Sequence, residues 1–297
     1  MSNKQKVAVI LPAYNEAEAI GDVLDKLTPM ASEHRWEIIV VDDGSDDGTG
    51  KVAAEHGAKV LTHPVNRGYG ASLATAVRAT DADVVVFLDS DGQHDQNDIP
   101  SLLEHIGQYD MVVGARTKDS YVDIQRVAGK KILKWFANYL AKEKIPDINS
   151  GFRAFKRDVL VSYLHLMPQG FSFSTTSTFA MLKGGHQIKW IPIKTTRRIG
   201  TSTVSQLRHG PETMMLMLRL TVLFDPLRVF LPVSGILMLL AFLATIFNII
   251  QDFVNQVYRF AVPTTALFLG ISSVIIFMLG LLTDQVSAMR REQHRRL

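Results

Sequence analysis

The chain has 297 residues, of which 47% are hydrophobic and 21% are charged, and its formal net charge is +3. This length is enough for one large domain or two smaller ones. Because cysteine is absent, the sequence excludes a disulfide framework, a thiolate nucleophile and a cysteine-based zinc site. The mild charge does not favour a nucleic-acid-binding protein, since the basic residues flank long apolar runs, where anionic lipid headgroups are simpler partners.

The first half of the chain alternates short apolar runs with helical patterns. Strands are predicted over Val7–Leu11, Ile38–Val41, Ala58–Thr62, Asp83–Leu88 and Met111–Val113. Helices are predicted over Tyr69–Thr80 and Asp98–Ile106, and also after the first strand, where Asn15 and Glu18 have the spacing of a capping box. This alternation predicts a largely parallel sheet with helices on both faces.

Polar clusters follow four of the predicted strands. They are Pro12–Glu16, Asp42–Ser45, Asp89–Asp91 with Gln93, and Gly114–Arg116. Because the carboxyl ends of parallel strands meet at one edge of a sheet, we expect these clusters to converge on one ligand site. Acidic side chains there repel a bare phosphate, but they can hydrogen-bond a base or ribose, or bind a metal that holds phosphates. Asp89 and Asp91 are hard oxygen ligands that suit Mg²⁺ or Mn²⁺, although a solvated acidic loop is the alternative for so short a motif.

The segment Asn66–Gly70 is a basic, glycine-rich loop before a predicted helix, so it is suited to lie near a phosphate or a base. It matches neither a Walker A loop nor the GxGxxG dinucleotide pattern. The sequence therefore gives little support to an ordinary nucleoside triphosphatase or a dinucleotide-binding protein.

The second half contains two long runs without a charged residue, Val229–Gln251 and Phe260–Thr283. As helices, both are long enough to cross a hydrocarbon core of about 30 Å, and a pair of buried core helices is the weaker alternative. Arginines concentrate before the first run and after the second, which predicts that both ends of the chain lie in the cytoplasm. The methionine-rich pattern of Gln206–Leu227 predicts an interfacial helix. Gln125–Lys142 fits either a solvated basic helix or an interfacial one, and both remain open.

Six motifs occur in a fixed order along the chain: PAYNE, VVDDGSDDGT, NRGYGAS, FLDSDGQHD, VVGAR and DINSGFRAF. In this order they resemble the family 2 glycosyltransferases of GT-A fold, and more narrowly the dolichyl-phosphate mannose synthases and the bacterial polyprenyl-phosphate glycosyltransferases. The matching motifs span roughly residues 7 to 205. The two apolar runs are similar to the membrane tails of bacterial and archaeal members.

The resemblance implies an α/β fold in four parts. They are a cytoplasmic GT-A catalytic domain with a Rossmann-like, mostly parallel sheet over residues 1–205, an interfacial helix over 206–227, two transmembrane helices over 228–284 and a basic cytoplasmic tail over 285–297. The implied location is the plasma (inner) membrane, which the chain crosses more than once. Self-association into a homo-oligomer is left open.

The resemblance also implies roles for individual residues. The implied contacts of the nucleotide-sugar are Pro12, Tyr14, Glu16, Asp42, Asp43, Arg67, Gly68 and Arg198. Among these, Asp43 is implied to read the edge of the base. The implied ligands of the divalent ion are Asp89, Asp91 and Gln93. The implied catalytic residues are Asp89 and Asp91, with Arg116, Arg126 and Arg153 around the acceptor phosphate.

Three departures from the family pattern leave the donor sugar and the loop that closes over the donor open. Thr203 stands where many relatives have a lysine, the stretch FSFSTTSTF lacks an acidic residue that is common there, and Asp95 and Gln96 stand where relatives often have prolines.

The implied activity is the inverting transfer of a sugar from a nucleotide-sugar to a polyprenyl phosphate in the lipid bilayer, with Mg²⁺ or Mn²⁺ as cofactor. A phosphate monoester is already largely dianionic near neutral pH, so it needs positioning rather than a base, and the planar fork of arginine suits that task. For Arg153 a structural ion pair is the alternative role. A hydroxyl acceptor would instead require a carboxylate base, for which Asp147 and Asp158 are the candidates. A non-catalytic scaffold that only binds the nucleotide-sugar also stays open.

Overall fold

The computed structural model describes residues 5–117, 135–170, 172–196, 206–256 and 261–295. The chain divides into two compact units, Met1–Met217 and Leu218–Leu297, and each is described by itself.

A seven-stranded sheet forms the centre of the first unit. Its strands are β1 (Val7–Ala13), β2 (Glu37–Asp42), β3 (Lys59–Thr62), β4 (Val84–Phe87), β5 (Met111–Arg116), β6 (Arg153–Lys156) and β7 (Ile188–Ile193). The strand order is β3-β2-β1-β4-β6-β5-β7, and every neighbouring pair is parallel except the two pairs that include β6. The prediction of a mostly parallel sheet is therefore confirmed.

Helices cover both faces of this sheet. They are α1 (Ala17–His34), α2 (Thr49–Glu55), α3 (Tyr69–Ala79), α4 (Ile99–His105), α5 (Arg157–Tyr163) and α6 (Phe173–Lys183). Side chains alternate along each strand, so that Val7 and Val9 pack with α1 and α4 on one face, whereas Ala8 and Ile10 pack with α3, α5 and α6 on the other. Because both faces are buried, the strands appear in the sequence as continuous apolar runs.

The start of α1 differs from the prediction, because the expected capping box at Asn15 is not formed. The N-cap residue Glu16 makes no side-chain cap hydrogen bond. The Glu16 N–H instead donates to Thr49 Oγ1 at 2.9 Å, and the Ala17 N–H donates to Asp47 Oδ2 at 3.0 Å. Both acceptors follow β2 in the chain. A segment distant in sequence, which runs from the loop after β2 into the start of α2, thus supplies the acceptors that the free N–H groups of a helix start require.

The C-terminal part of the chain is helical. Its helices are α7 (Gln206–Phe224), α8 (Leu227–Val254) and α9 (Thr264–Arg295). Within them, the stretches Leu227–Val254 and Thr264–Met289 are long and apolar enough to cross a membrane. The second unit is therefore an apolar hairpin of two long helices, as the sequence predicted.

Small residues pack the hairpin. On α9, buried small residues recur at every seventh position, namely Ala266, Ser273, Gly280 and Ser287. The Ser273 hydroxyl donates to the Ser234 carbonyl of α8 at 2.7 Å, and a Cβ added at Gly280 would lie 2.6 Å from the Cβ of Phe230. Small side chains let two helices approach closely, and a seven-residue repeat is typical of a left-handed pair.

Candidate active site

Three of the polar clusters start at the same edge of the sheet. Strands β2, β1 and β4 are parallel neighbours, so the segments that follow them lie side by side. The Asp43 N–H donates to the Ala13 carbonyl at 2.9 Å, and the Ser90 hydroxyl donates to the Pro12 carbonyl at 2.9 Å. The fourth cluster ends β5, which is separated from β4 by the antiparallel strand β6.

Asp43 organises the loop Asn66–Gly70. Its carboxylate is buried, and it accepts the Arg67 N–H at Oδ1 (2.9 Å) and the Gly68 N–H at Oδ2 (2.7 Å). Both oxygens therefore bind the backbone of the loop. That Asp43 also reads the edge of a base stays a prediction.

His63 belongs to the same buried group, and sequence reasoning missed it. Its Nδ1 lies 2.6 Å from Oδ1 of Asp43, and its Nε2 lies 2.9 Å from the Thr75 hydroxyl. The pairing of β2 with β3 is the signal that could have found it. Asp42 pairs with Thr62 in this register, so the next residue of each strand also lies beside its counterpart.

Glycine is required at two positions of this loop by a close approach of the chain. Gly68 has a φ of +97°, and a Cβ there would lie 2.7 Å from the Gln169 carbonyl oxygen. A Cβ at Gly70 would collide with the Pro168 carbonyl oxygen. The Ala71 N–H donates to the Gln169 carbonyl at 2.9 Å. The loop is thus held on one side by the end of β2 and on the other by the segment before α6.

Asp89 lies in a cluster formed by three separate segments, and we call Tyr69, Asp89, His94 and Gly151 the Asp89 cluster. The Tyr69 hydroxyl donates to Asp89 Oδ1 at 2.9 Å, and His94 Nε2 lies 3.6 Å from Oδ2. A Cβ added at Gly151 would lie 2.5 Å from Oδ2. The carboxylate therefore has contacts on three sides.

Charge and burial act against each other in the Asp89 cluster. Burial by itself would raise the pKa of Asp89, but the nearby His94 and the hydrogen bond from Tyr69 outweigh it and hold the pKa below its usual value. Burial and the Asp89 charge raise the pKa of Tyr69 well above its usual value. At neutral pH the carboxylate is thus ionised and the phenol is a donor.

Asp91 is the second carboxylate after β4. It is buried, and its Oδ1 accepts the Gln93 N–H at 3.1 Å. Within the described part of the chain, no group of three or more His, Cys, Asp or Glu side chains is placed to hold a metal ion. Asp89, Asp91 and the Gln93 amide nevertheless fit Mg²⁺ or Mn²⁺, because they offer hard oxygen donors. Mg²⁺ sites commonly use one or two carboxylates and take their other ligands from substrate phosphates and water.

Arg153 is fully buried at the start of β6. Its Nη1 donates to the Ser174 carbonyl (2.7 Å) and to the hydroxyls of Ser177 (3.0 Å) and Thr178 (3.3 Å), and its Nη2 donates to the Ser150 carbonyl. Burial lowers the pKa of Arg153 to about 10, so the guanidinium is charged at neutral pH. Hydroxyl and carbonyl groups of α6 thus surround the charge in the stretch that lacks the family's acidic residue.

Arg116 forms a bidentate ion pair with Asp147. Its Nε lies 2.6 Å from Oδ2 and its Nη2 lies 2.9 Å from Oδ1. The Arg116 side chain is 41% exposed, whereas that of Asp147 is 11% exposed. Burial alone would raise the pKa of Asp147, but the hydrogen bonds and charge of Arg116 outweigh it and lower the pKa. Asp147 is therefore a weak base.

Asp158 lies at the opposite edge of the sheet. Because β6 is antiparallel to β4, Arg153 pairs with Phe87 at the carboxyl end of β4, and Lys156 pairs with Val84 at its start. Asp158 follows Lys156 in the first turn of α5. The fold thus separates this carboxylate from the Asp89 cluster.

The other predicted contacts differ in exposure. Tyr14 and Arg67 are exposed, Glu16 is half-buried, and Pro12 and Asp42 are buried. Arg126 and Arg198, together with the departure at Thr203, lie outside the described residues.

Comparison with known proteins gives two family matches. The protein family described as Glycosyl transferase family 2 matches residues 8–164, and the family described as GtrB C-terminal hairpin matches residues 225–289. The first match includes all of β1 except Val7, the strands β2 to β6 and the residues of the Asp89 cluster, and the second includes most of the apolar hairpin.

The chain is also similar to individual proteins. It is 32% identical to a dolichyl-phosphate hexose transferase of Haloferax volcanii over 69% of this chain and 89% of that protein. It is 28% identical to an undecaprenyl-phosphate mannosyltransferase of Micrococcus luteus over 67% of this chain and 88% of that protein. Glucosyl-3-phosphoglycerate synthase of Mycobacterium tuberculosis, solved with Mn²⁺ and UDP, has a TM-score of 0.62 at 22% identity, covering 73% of this chain and 80% of that one. This last likeness shows a shared fold.

Proposed function

The chain belongs to glycosyl transferase family 2 and is a glycosyltransferase, and we propose that it transfers a sugar from a nucleotide-sugar to the phosphate of a membrane polyprenyl phosphate. The names of the two similar transferases, which contain dolichyl phosphate and undecaprenyl phosphate, support this acceptor class. The product would be a polyprenyl-phosphate sugar for cell-envelope or glycan assembly.

The pairing of Asp147 with Arg116 is the observation that carries this proposal. Transfer to a hydroxyl needs a carboxylate base. Asp147 is held in an ion pair that weakens it as a base, and Asp158 lies at the far edge of the sheet. A phosphate acceptor removes this requirement, because its second pKa of about 6 leaves it largely dianionic at neutral pH.

Arginine would position the acceptor phosphate. Arg116 is partly exposed and its fork is held rigidly by Asp147, so it is suited to contact a lipid headgroup directly. Arg153 has no exposed surface, so it would act on the phosphate through its charge or through the residues it holds. Arg126 is proposed as a further phosphate contact on the family resemblance alone.

The donor would bind at the edge formed by β1, β2 and β4. Pro12, Tyr14 and Glu16 would contact the nucleoside, and the loop Asn66–Gly70 would lie beside it. Asp89, Asp91 and Gln93 would hold Mg²⁺ or Mn²⁺ on the diphosphate. When bound, such an ion stabilises negative charge on the departing nucleotide. The Mn²⁺ and UDP in the structurally similar synthase support this assignment.

The hairpin would keep the enzyme beside its lipid substrate. Both stretches are long enough to span a bilayer, and a polyprenyl phosphate keeps its tail in lipid and its headgroup at the surface. Tethering raises the effective concentration of such a substrate at the site. We propose that the chain crosses the plasma membrane twice and that the sheet-based unit faces the cytoplasm.

A transfer assay tests the acceptor. The protein is purified in detergent and incubated with a panel of radiolabelled nucleotide-sugars and with either polyprenyl phosphate or the free polyprenol, and labelled lipid is extracted. We expect label in lipid with the phosphate only, and a rate that rises through about pH 6 as the phosphate ionises. Asp158→Asn should retain most activity, because its carboxylate lies away from the site. Glycosylation of the free alcohol, or a folded but inactive Asp158→Asn variant, would favour the hydroxyl acceptor instead.

A further inference from the structure

We propose that Tyr69 is a positioning residue, whose hydroxyl fixes the orientation in which the Asp89 carboxylate meets a divalent ion. This inference rests on the proposed function, because it concerns the ion of that same site. The family resemblance implies that the motif containing Tyr69 lies on the nucleotide side, and it implies a contact with the ion for none of that motif's residues. The structure joins the two, since the Tyr69 hydroxyl donates to Asp89 Oδ1 at 2.9 Å.

The backbone on each side of Tyr69 is fixed. On one side, the Gly68 N–H donates to Asp43 Oδ2 at 2.7 Å. On the other side, the Ala71 N–H donates to the Gln169 carbonyl at 2.9 Å. A tyrosine has only two side-chain torsions, so a fixed backbone leaves its hydroxyl little freedom. The Tyr69 side chain therefore connects the loop Asn66–Gly70 to the residues that follow β4 in a fixed geometry.

The backbone at Gly151 also lies against Asp89. A Cβ at Gly151 would lie 2.5 Å from Oδ2 and 2.7 Å from Oδ1, so the carboxylate packs directly against this glycine. The neighbouring Ser150 carbonyl is held by Arg153. Asp89 thus contacts both the Tyr69 phenol and Gly151. A single substitution at Tyr69 can remove its hydroxyl without creating a clash.

Groups that hydrogen-bond a metal ligand orient it, and removing them typically weakens metal binding by about 10- to 100-fold. Tyr69→Phe removes one oxygen and keeps the ring that packs beside β4. We therefore expect the apparent dissociation constant for Mn²⁺, measured with a nucleoside diphosphate present, to rise by about tenfold or more. The thermal unfolding midpoint without metal should change no more than in a control variant.

Tyr163→Phe is the matched control. The Tyr163 hydroxyl lies 3.1 Å from Nε2 of His186, so this variant also removes one partly buried phenol that has a hydrogen-bond partner. Tyr163 ends α5, which begins at the edge of the sheet away from Asp89. Mn²⁺ binding is followed by the electron paramagnetic resonance signal of the free ion, in full-length wild-type protein, both Phe variants, Asp89→Asn and the double variant Tyr69→Phe with Asp89→Asn.

A cycle of variants decides between positioning and packing. We expect Tyr69→Phe to weaken Mn²⁺ binding, Tyr163→Phe to leave it unchanged, and Tyr69→Phe to have no further effect once Asp89 is Asn. Wild-type affinity for Mn²⁺ in Tyr69→Phe would overturn the role of Tyr69. So would an equal loss of Mn²⁺ affinity when Tyr69→Phe is made in the Asp89→Asn background. Neither result would contradict the proposed sugar transfer. Failure of the wild-type protein to label polyprenyl phosphate, with the cycle as expected, would overturn the proposed function but not this inference.

Discussion

Gly151→Ala is the substitution that tests the geometry of the Asp89 cluster most directly. The φ of Gly151 is not in the left-handed region, so alanine fits its backbone without strain. The added Cβ would lie 2.5 Å from Oδ2, 2.7 Å from Oδ1 and 2.9 Å from Cγ of Asp89. The clash falls on this one carboxylate, which makes the outcome specific.

The size of the effect follows from these distances. Ordinary contacts of a Cβ begin at 3.4 Å, so the carboxylate must move by roughly 1 Å to relieve the repulsion. A displacement of this size would distort the 2.9 Å hydrogen bond from Tyr69 and move both carboxylate oxygens from their positions. Misplacing a catalytic group by about 1 Å can lower the rate by about 100-fold, which corresponds to about 2.7 kcal/mol in the activation barrier. We expect a loss of this order in kcat/KM.

The assay is label transfer to polyprenyl phosphate, with circular dichroism to verify folding. Gly170→Ala is the control, because Gly170 also lacks a positive φ and a Cβ there would have no atom within 4 Å. The control should keep wild-type activity. If Gly151→Ala also keeps wild-type kcat/KM, then the position of Asp89 does not limit the reaction and the reasoning is wrong.

Three further outcomes are expected. Asp91→Asn should abolish transfer in a folded protein, and excess chelator should do the same to the wild type until Mg²⁺ or Mn²⁺ is added; full activity in chelator would exclude a metal role. Burial alone would raise the pKa of Asp110. Lys156 and other hydrogen-bond donors lower it more strongly, so the pKa of Asp110 lies below its usual value. The Asp110 carboxylate therefore contributes stability that is present above about pH 4 and is lost as the pH falls further. Asp110→Asn should lower the free energy of unfolding at pH 7 by about 1–3 kcal/mol. In denaturant titrations, the stability of this variant should depend less on pH below about pH 4 than that of the wild type. Because the chain has no cysteine, Asn255→Cys should react with an impermeant thiol reagent outside intact cells and Gln293→Cys should not; the reverse pattern would contradict the proposed topology.

Much of the fold could be predicted because its determinants are local. A strand buried on both faces appears as an apolar run, and the polar residues that follow it mark its end. Asp89 and Asp91 could be identified in this way from Val84–Phe87 alone. The parallel direction of β1, β2 and β4 then placed three clusters at one edge without knowledge of any side chain.

The rest depended on partners that the sequence does not bring near one another. His63 and Asp43 meet only because β2 and β3 pair in one register. The serine and threonine residues of α6 looked like a departure from the family pattern, yet two of their hydroxyls surround the buried Arg153 charge. Asp147 was a candidate base from its residue type, and its ion pair with Arg116 could not be inferred without the fold.

The way α1 begins has a consequence for experiments on local opening. The amide of its N-cap residue Glu16 donates to Thr49, the first residue of α2, and the amide of Ala17 donates to Asp47 in the loop after β2. These amides should exchange with deuterium whenever that loop lifts, even while the remainder of α1 stays folded. Their exchange rates therefore measure the free energy of opening of the loop after β2. A ligand that orders this loop should slow both amides together.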